Sequence, residues 1–290
     1  MKHWKPAAIA ALWSGALYAA PMPVVASFSI LGDVAQQIGG ERVGVQSLVG
    51  ANQDAHAYNL TSGDIKKIRE ARLVLLNGLG LEKAELQRAV KQSKVASAEA
   101  TAGIKPLAAD EHHHEHGHDH DHDHGEFDPH VWNDPVLMQR YAANVAIALI
   151  KADPAGSRYY QQRFKDYQHV LNQLNNYANQ QFGAVAPAKR KVLTGHDSFA
   201  YLGKRYQVKF ISPQGVSSEA EPSARQIAAI IRQIKAENVK AVFTENIKDG
   251  RMIARIAKET GVKVSGGLYA DALSSGAPAG TYADMFRYNV

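Results

Sequence analysis

The chain has 290 residues, with 33 Lys and Arg against 28 Asp and Glu for a formal charge of +5, and no cysteine. Without thiols there is no disulfide framework, no thiolate zinc site and no cysteine to carry a lipid. The basic residues are scattered rather than striped, and no helix-turn-helix or RNA-binding motif accompanies them, so no nucleic-acid partner is expected.

In chain order, Lys2 and Lys5 precede an apolar run from Ala7 to Ala20 that is broken by Ser14 and Gly15 and followed by Pro21 and Pro23. A basic start, an apolar stretch too short to span a bilayer and small residues after it predict a signal peptide over 1–20, cut near Ala19 or Ala20. A bacterial periplasm is the expected destination. Roughly 270 residues then remain, enough for two domains or one large α/β unit.

An N-terminal α/β lobe is expected over 21–134. Val24 to Ile30 reads as a strand, and Ser29 to Val34 opens an amphipathic helix with Val34 and Ile38 one turn apart. Val43 to Val49 is the next strand, Thr61-Ser62-Gly63-Asp64 caps a helix carrying Ile65 and Ile68, and Leu73 to Leu76 is an apolar strand of the buried parallel type. A connecting helical segment follows over 135–182, with Met138, Tyr141, Val145 and Leu149, then Tyr160, Phe164, Tyr167, Leu171 and Leu174, and a break or restart at Asp153-Pro154. It reads equally as a stiff hinge or as one more pair of core helices. The layout then repeats in a C-terminal lobe over 183–290. Lys191 to Thr194, Val208 to Ile211, Ala241 to Thr244 and Val262 to Val264 read as strands. Helices are expected at Ser198 to Tyr206, from Glu221-Pro222-Ser223 onward, and at Asp249 to Thr260.

Eight of the thirteen histidines are crowded into one tract: His112, His113, His114, His116, His118, His120, His122 and His124. Eight acids and no Lys or Arg share the stretch from Asp110 to Asp128. Such a segment cannot repay the entropy of ordering itself, so a mobile loop is expected over 110–126. Its imidazoles and carboxylates are donors for zinc and its first-row neighbours, forming many interchangeable weak sites that suit capture better than retention. The plainer readings are a solvated linker or an affinity tag, the second disfavoured by the mid-chain position and the interleaved acids.

Other donors lie just past strands. His56 follows the second strand, His130 precedes the connector, His196 follows Lys191 to Thr194, and Asp271 lies beyond the last strand. In doubly wound sheets, strand ends face one crevice, where three imidazoles and a carboxylate would close a tetrahedral zinc site. Taken singly, each histidine reads as readily as a hydrogen-bonded loop residue, and Asp271 as a turn cap. Glu245 is either a partner for a ligand imidazole or a helix cap. His169 is expected to face solvent.

The ordered succession Asp54-Ala55-His56-Ala57-Tyr58, Asp128-Pro129-His130-Val131-Trp132, Thr194-Gly195-His196-Asp197-Ser198-Phe199, Glu219-Ala220-Glu221-Pro222-Ser223 and Leu268 to Ser274 resembles the cluster A-I solute-binding proteins of metal ABC importers. The ending Thr281 to Asn289 is also similar to theirs. The resemblance implies two (β/α)4-like lobes joined by a long rigid helix, with a metal site in the cleft between them. By motif position it implies His56, His130, His196 and Asp271 as ligands. A histidine in the third position and a His-rich loop before the second ligand resemble the zinc-specific ZnuA and AztC types. Manganese members tend to have glutamate where His196 stands, so Zn²⁺ is expected ahead of Mn²⁺. The implied role is periplasmic zinc binding for delivery to an ABC-type membrane permease, by a monomer, with a periplasmic zinc chaperone as a second partner. A manganese-binding protein and a periplasmic zinc buffer remain as alternatives. No His-Glu-x-x-His and no nucleophile elbow is present, and a closed four-ligand set argues against a hydrolase.

Overall fold

The computed structural model describes residues 20–109 and 126–290. The expected signal peptide and the His/Asp tract therefore lie outside the described residues but for Ala20 and Glu126. In the first lobe, β1 (Met22–Phe28), α1 (Ser29–Gly39), β2 (Val43–Val49), α2 (Ser62–Glu70), β3 (Leu73–Leu76), α3 (Ala84–Ser93) and β4 (Ala96–Glu99) alternate, and the strands form a parallel sheet in the order β2-β1-β3-β4. Strand alternation sorts the apolar residues onto two faces. Val24, Ala26, Phe28, Leu73 and Leu75 enter the main core, while Val25, Val74 and Leu76 pack with Ile68, Leu86 and Val90 on the opposite side. Burial on both faces explains why β1 and β3 read as continuous apolar runs. A reciprocal cap starts α2: Thr61 Oγ1 accepts from the Asp64 N–H at 3.2 Å, and Asp64 Oδ2 accepts from the Thr61 N–H at 3.0 Å.

The helical segment divides where the sequence places a break. α4 (Leu137–Ala152) packs on α1 as a core helix of the first lobe. Asp153 and Pro154 interrupt it, and Asp153 Oδ1 accepts the Gly156 N–H at 3.3 Å. α5 (Ser157–Gly183) then runs 27 residues, about 40 Å, between the lobes. Its buried stripe of Tyr160, Tyr167, Leu171, Leu174 and Ala178 lies within the main core. Both helices thus contribute to the main core, and α5 also runs between the lobes.

The second lobe repeats the plan with β5 (Lys191–Leu193), α6 (Ala200–Tyr206), β6 (Lys209–Ile211), α7 (Ala224–Glu237), β7 (Ala241–Glu245), α8 (Arg251–Thr260) and β8 (Val264–Leu268), in the parallel order β6-β5-β7-β8. The last strand lies later than Val262 to Val264. Gly261, at φ 74°, ends α8, and the Val262 N–H returns to the Ala257 carbonyl at 3.1 Å, so Val262 belongs to the helix terminus. Pairing runs instead through Gly266, Gly267 and Leu268, which their glycines disguise as a turn. A final helix, α9 (Tyr282–Asn289), is absent from the sequence reading. Thr281 caps it, Tyr282, Met285 and Phe286 bury themselves in the main core, and the Tyr282 N–H reaches Asp33 Oδ2 on α1 at 2.8 Å. The chain thus returns to the first lobe before it ends.

Candidate metal centre

Two short motifs of the same form present the first two histidines. In Asp54-Ala55-His56 and Asp128-Pro129-His130, the aspartate two residues upstream accepts the histidine backbone N–H, at 2.9 Å in each case. This local turn fixes the chain direction at each histidine. They differ at the ring: Asp128 Oδ1 also lies 2.6 Å from His130 Nδ1, whereas Asp54 does not hold the His56 imidazole. His196 is held from the other lobe's sheet. Glu245, the last residue of β7, accepts the Gly195 and His196 N–H groups at 2.8 and 3.1 Å through Oε1 and lies 2.6 Å from His196 Nδ1 through Oε2. A Cβ on residue 195 would stand 3.0 Å from Glu245 Oε2, so Gly195 is what allows this close approach.

Asp271 follows β8 but is tied to the first lobe. The neighbouring Ala270 carbonyl accepts from Trp132 Nε1 at 2.8 Å, the Leu273 N–H donates to Ser29 Oγ at 3.1 Å, and the Leu273 carbonyl accepts the Asn52 N–H at 2.8 Å.

The structure brings His56, His130, His196 and Asp271 together, one donor atom from each within 4.8 Å of the others. Individual separations are 3.1 Å for His56 Nε2 to His130 Nε2, 3.1 Å for His196 Nε2 to Asp271 Oδ2, 3.4 Å for His130 Nε2 to Asp271 Oδ1 and 3.6 Å for His56 Nε2 to Asp271 Oδ2. A tetrahedral ion with bonds of about 2.0–2.1 Å has donor–donor edges of about 3.3 Å. The nearest polar neighbours of His196 Nε2 and of both Asp271 carboxylate oxygens, all buried, are one another and the other two imidazoles. A dication at the centre would be met by all of these donor atoms at once. Carboxylates at Nδ1 of His130 and His196 leave each Nε2 lone pair directed at the centre.

The electrostatics separate the rings. Burial pushes His56 down to about 3, opposed by Asp271 and assisted by His130, His196 and Lys248, so its imidazole is neutral at any ordinary pH. Burial alone would also lower His196, but Glu245 and Asp271 on its two sides outweigh that and hold it well above the usual histidine range. Burial would raise the Asp271 carboxyl, yet His196, His130 and His56 around it keep it below the usual carboxylate range, and it is ionised. A cation bound through His196 Nε2 would have to displace the proton that Glu245 and Asp271 favour on that ring.

The other expected residues fall elsewhere. His112, His113, His114, His116, His118, His120, His122 and His124 lie outside the described residues. His169 is exposed on α5, with Gln173 Nε2 3.0 Å from its Nε2. Glu245 contacts the His196 ring and loop rather than capping α8 through its side chain. Sequence reasoning missed Asp128, although its placement two residues before a histidine, repeated at Asp54, was a signal. It also missed Ser218, whose hydroxyl donates to Asp54 Oδ2 at 2.5 Å across the cleft and which no motif marks.

Comparison with known proteins shows the family and the fold. The family description zinc-uptake complex component A periplasmic (ZnuA) matches residues 24–290. The manganese-binding lipoprotein MntA of Bacillus subtilis (strain 168) is 33% identical over 279 residues, covering 93% of this chain and 87% of that protein. The iron ABC transporter substrate-binding lipoprotein MtsA of Streptococcus pyogenes serotype M1 is 27% identical, with 93% and 86% covered. Among solved structures, the periplasmic zinc binding protein TroA from Treponema pallidum superposes with a TM-score of 0.84 at 27% identity, covering 92% of this chain and 96% of that one.

Proposed function

Since the chain belongs to the zinc-uptake complex component A family, we propose that it is a periplasmic zinc-binding protein that passes Zn²⁺ to a membrane permease. It is a metal-binding component of an ABC importer and not an enzyme. In this reading His56, His130, His196 and Asp271 are the four ligands, the lobes divide near 21–134 and 183–290, and Glu245 and Asp128 orient two of the imidazoles. Relatives are named for manganese and iron as well as zinc, so the choice of metal rests on the donor set. Three imidazoles and one carboxylate, closed and buried, suit a tetrahedral borderline ion better than manganese, which prefers more oxygen donors.

The observation that carries the reading is the convergence of four buried side chains, three imidazoles and one carboxylate, with one donor atom from each within 4.8 Å of the others. Four ligands leave no open position for a water nucleophile, so the arrangement holds an ion rather than activates one. The chain is proposed to work as a monomer, with the His/Asp tract raising the local zinc concentration and a periplasmic zinc chaperone as a second donor. The relatives MntA and MtsA are named as lipoproteins. The present sequence contains no cysteine, which supports a freely diffusing form.

Competitive titration of the metal-free protein with Zn²⁺ and Mn²⁺ against a chelator of known affinity tests the metal. One tight zinc site per chain is expected, with manganese far weaker, and preference for manganese overturns the assignment. Growth of a deletion strain in zinc-poor medium separates uptake from buffering: a growth defect relieved by added zinc is expected for uptake.

A further inference from the structure

Resting on the reading that these four residues hold the ion, we propose that Asp54 and Ser218 form a latch between the lobes that positions His56, and that opening this latch lets the ion leave. The four candidate ligands are not equally fixed. His130 and His196 each have a carboxylate 2.6 Å from Nδ1, and Asp271 is anchored on both sides through Ala270 and Leu273. Among the described residues no carboxylate holds Nδ1 of His56, which is 7% exposed where the other three are 0%. His56 depends on its backbone, and therefore on Asp54.

Asp54 is shared between the two lobes. Its Oδ1 accepts the His56 N–H at 2.9 Å and the Ala57 N–H at 3.4 Å, and its Oδ2 accepts the Ser218 hydroxyl at 2.5 Å, within the range of a charge-assisted bond. Ser218 is itself buried and braced in the loop after β6. Its carbonyl accepts from the Lys248 ammonium and, at 3.2 Å, from Gln214 Nε2. Pulling that loop away therefore withdraws one of the bonds that hold the His56 turn in place.

The turn also has somewhere to go. Residues 50–61 contain no helix or strand, and behind them lies a cavity of about 270 Å³, lined by Ala55, Tyr58, Asn59 and Leu60 on the loop side and by Phe28 and Leu86 opposite. With the latch open, the turn can relax toward this cavity and carry His56 off the ion, leaving three ligands and an open coordination position for water or a permease donor.

The test loads the full chain with one equivalent of Zn²⁺, confirms uptake, and then follows release into excess chelator by stopped flow. Ser218→Ala is expected to release zinc about ten- to a hundredfold faster, the weight of a hydrogen bond to a charged group, while still taking up one tight zinc. Glu219→Gln removes the neighbouring cross-cleft ion pair, Lys83 to Glu219 at 2.6 Å, and is expected to change the rate by less than about threefold, as exposed pairs do. Asp54→Asn, which keeps an oxygen for the His56 N–H, gives a second and smaller acceleration should Ser218→Ala fold poorly. Wild-type release rates in both latch variants overturn the latch, as does equal acceleration by Glu219→Gln. Failure of the wild-type chain to take up zinc, read before chelator is added, overturns the functional reading itself.

Discussion

The sheets of the two lobes share one strand order and differ in how deeply they are packed. In the first lobe β1 and β2 have seven residues each, and the core they enter continues through α4, α5 and α9 and takes in residues of α6. In the second, β5 and β6 have three residues each. The layer formed with α7 and α8 closes on a small separate cluster of Leu193, Ile211, Ile234, Val239, Val242, Ile253, Ile256 and Ala257. The first lobe, the long helix and the C-terminal segment thus make a frame, and the outer second lobe is a lighter flank against it. The metal centre lies on their boundary. His56, His130 and Asp271 are held by the frame, although Asp271 follows the last strand of the flank in sequence, and His196 with Glu245 belongs to the flank.

The largest expected effect breaks the frame. Trp132 is fully buried, packs tilted against Phe28 at 5.0 Å and edge-on to His130 at 5.1 Å between ring centroids, and ties the frame to Ala270. Trp132→Ala is expected to cost about 3–5 kcal/mol of stability in denaturant unfolding of the metal-free chain and to take the metal site with it. If the variant unfolds at the wild-type midpoint, the frame is drawn wrongly.

Next come the two carboxylates behind the rings, one on each side of the boundary. Asp128→Asn and Glu245→Gln are each expected to weaken zinc binding about ten- to a hundredfold, read by chelator competition. The second should also change the proton count. In the wild type, the raised His196 is expected to release its proton when the ion binds, so affinity should fall as pH drops, with the loss beginning above the ordinary histidine range. The slope approaches about tenfold per pH unit for one proton. His56, already neutral, contributes no such slope, and Asp271 stays ionised throughout. Glu245→Gln should move the window down. Calorimetry in buffers of different ionisation enthalpy counts the proton, and a pH-independent affinity from 8 to 6 (on the order of the histidine range) contradicts the assignment.

The smallest effect belongs to the flank. Ile256→Val, in the small cluster under α8, is expected to cost only about 0.5–1.5 kcal/mol. Hydrogen exchange should show faster opening of β5 to β7 than of β1 and β3, in the variant and, to a lesser degree, in the wild type. Equal protection of the two sheets would remove the distinction between frame and flank.

Much of this was legible along the chain because parallel strands buried on both faces must be apolar throughout, and helices beside them must show a stripe. Leu73 to Leu76 announces itself in that way, and Asp153-Pro154 marks the restart between the two helices. The first three candidate ligands are marked by local turns: Asp54 and Asp128 precede their histidines by two residues, and Gly195 opens the approach to His196. The β8 strand and α9 were not legible. Gly266 and Gly267 hide the one behind a turn-like composition, and eight residues ending the chain carry too short a period to announce the other.

The sequence by itself determined the two α/β lobes, the helical segment between them and the kind of donor available, since these follow from periodicity and side-chain chemistry within short windows. Only the tertiary structure decided that Asp271 is braced by Ser29, Asn52 and Trp132, that Glu245 stands behind His196, and that Ser218 reaches Asp54. Those contacts join residues tens to hundreds of positions apart, and they form because burying the helices on a common core fixes where the loops at the strand ends meet.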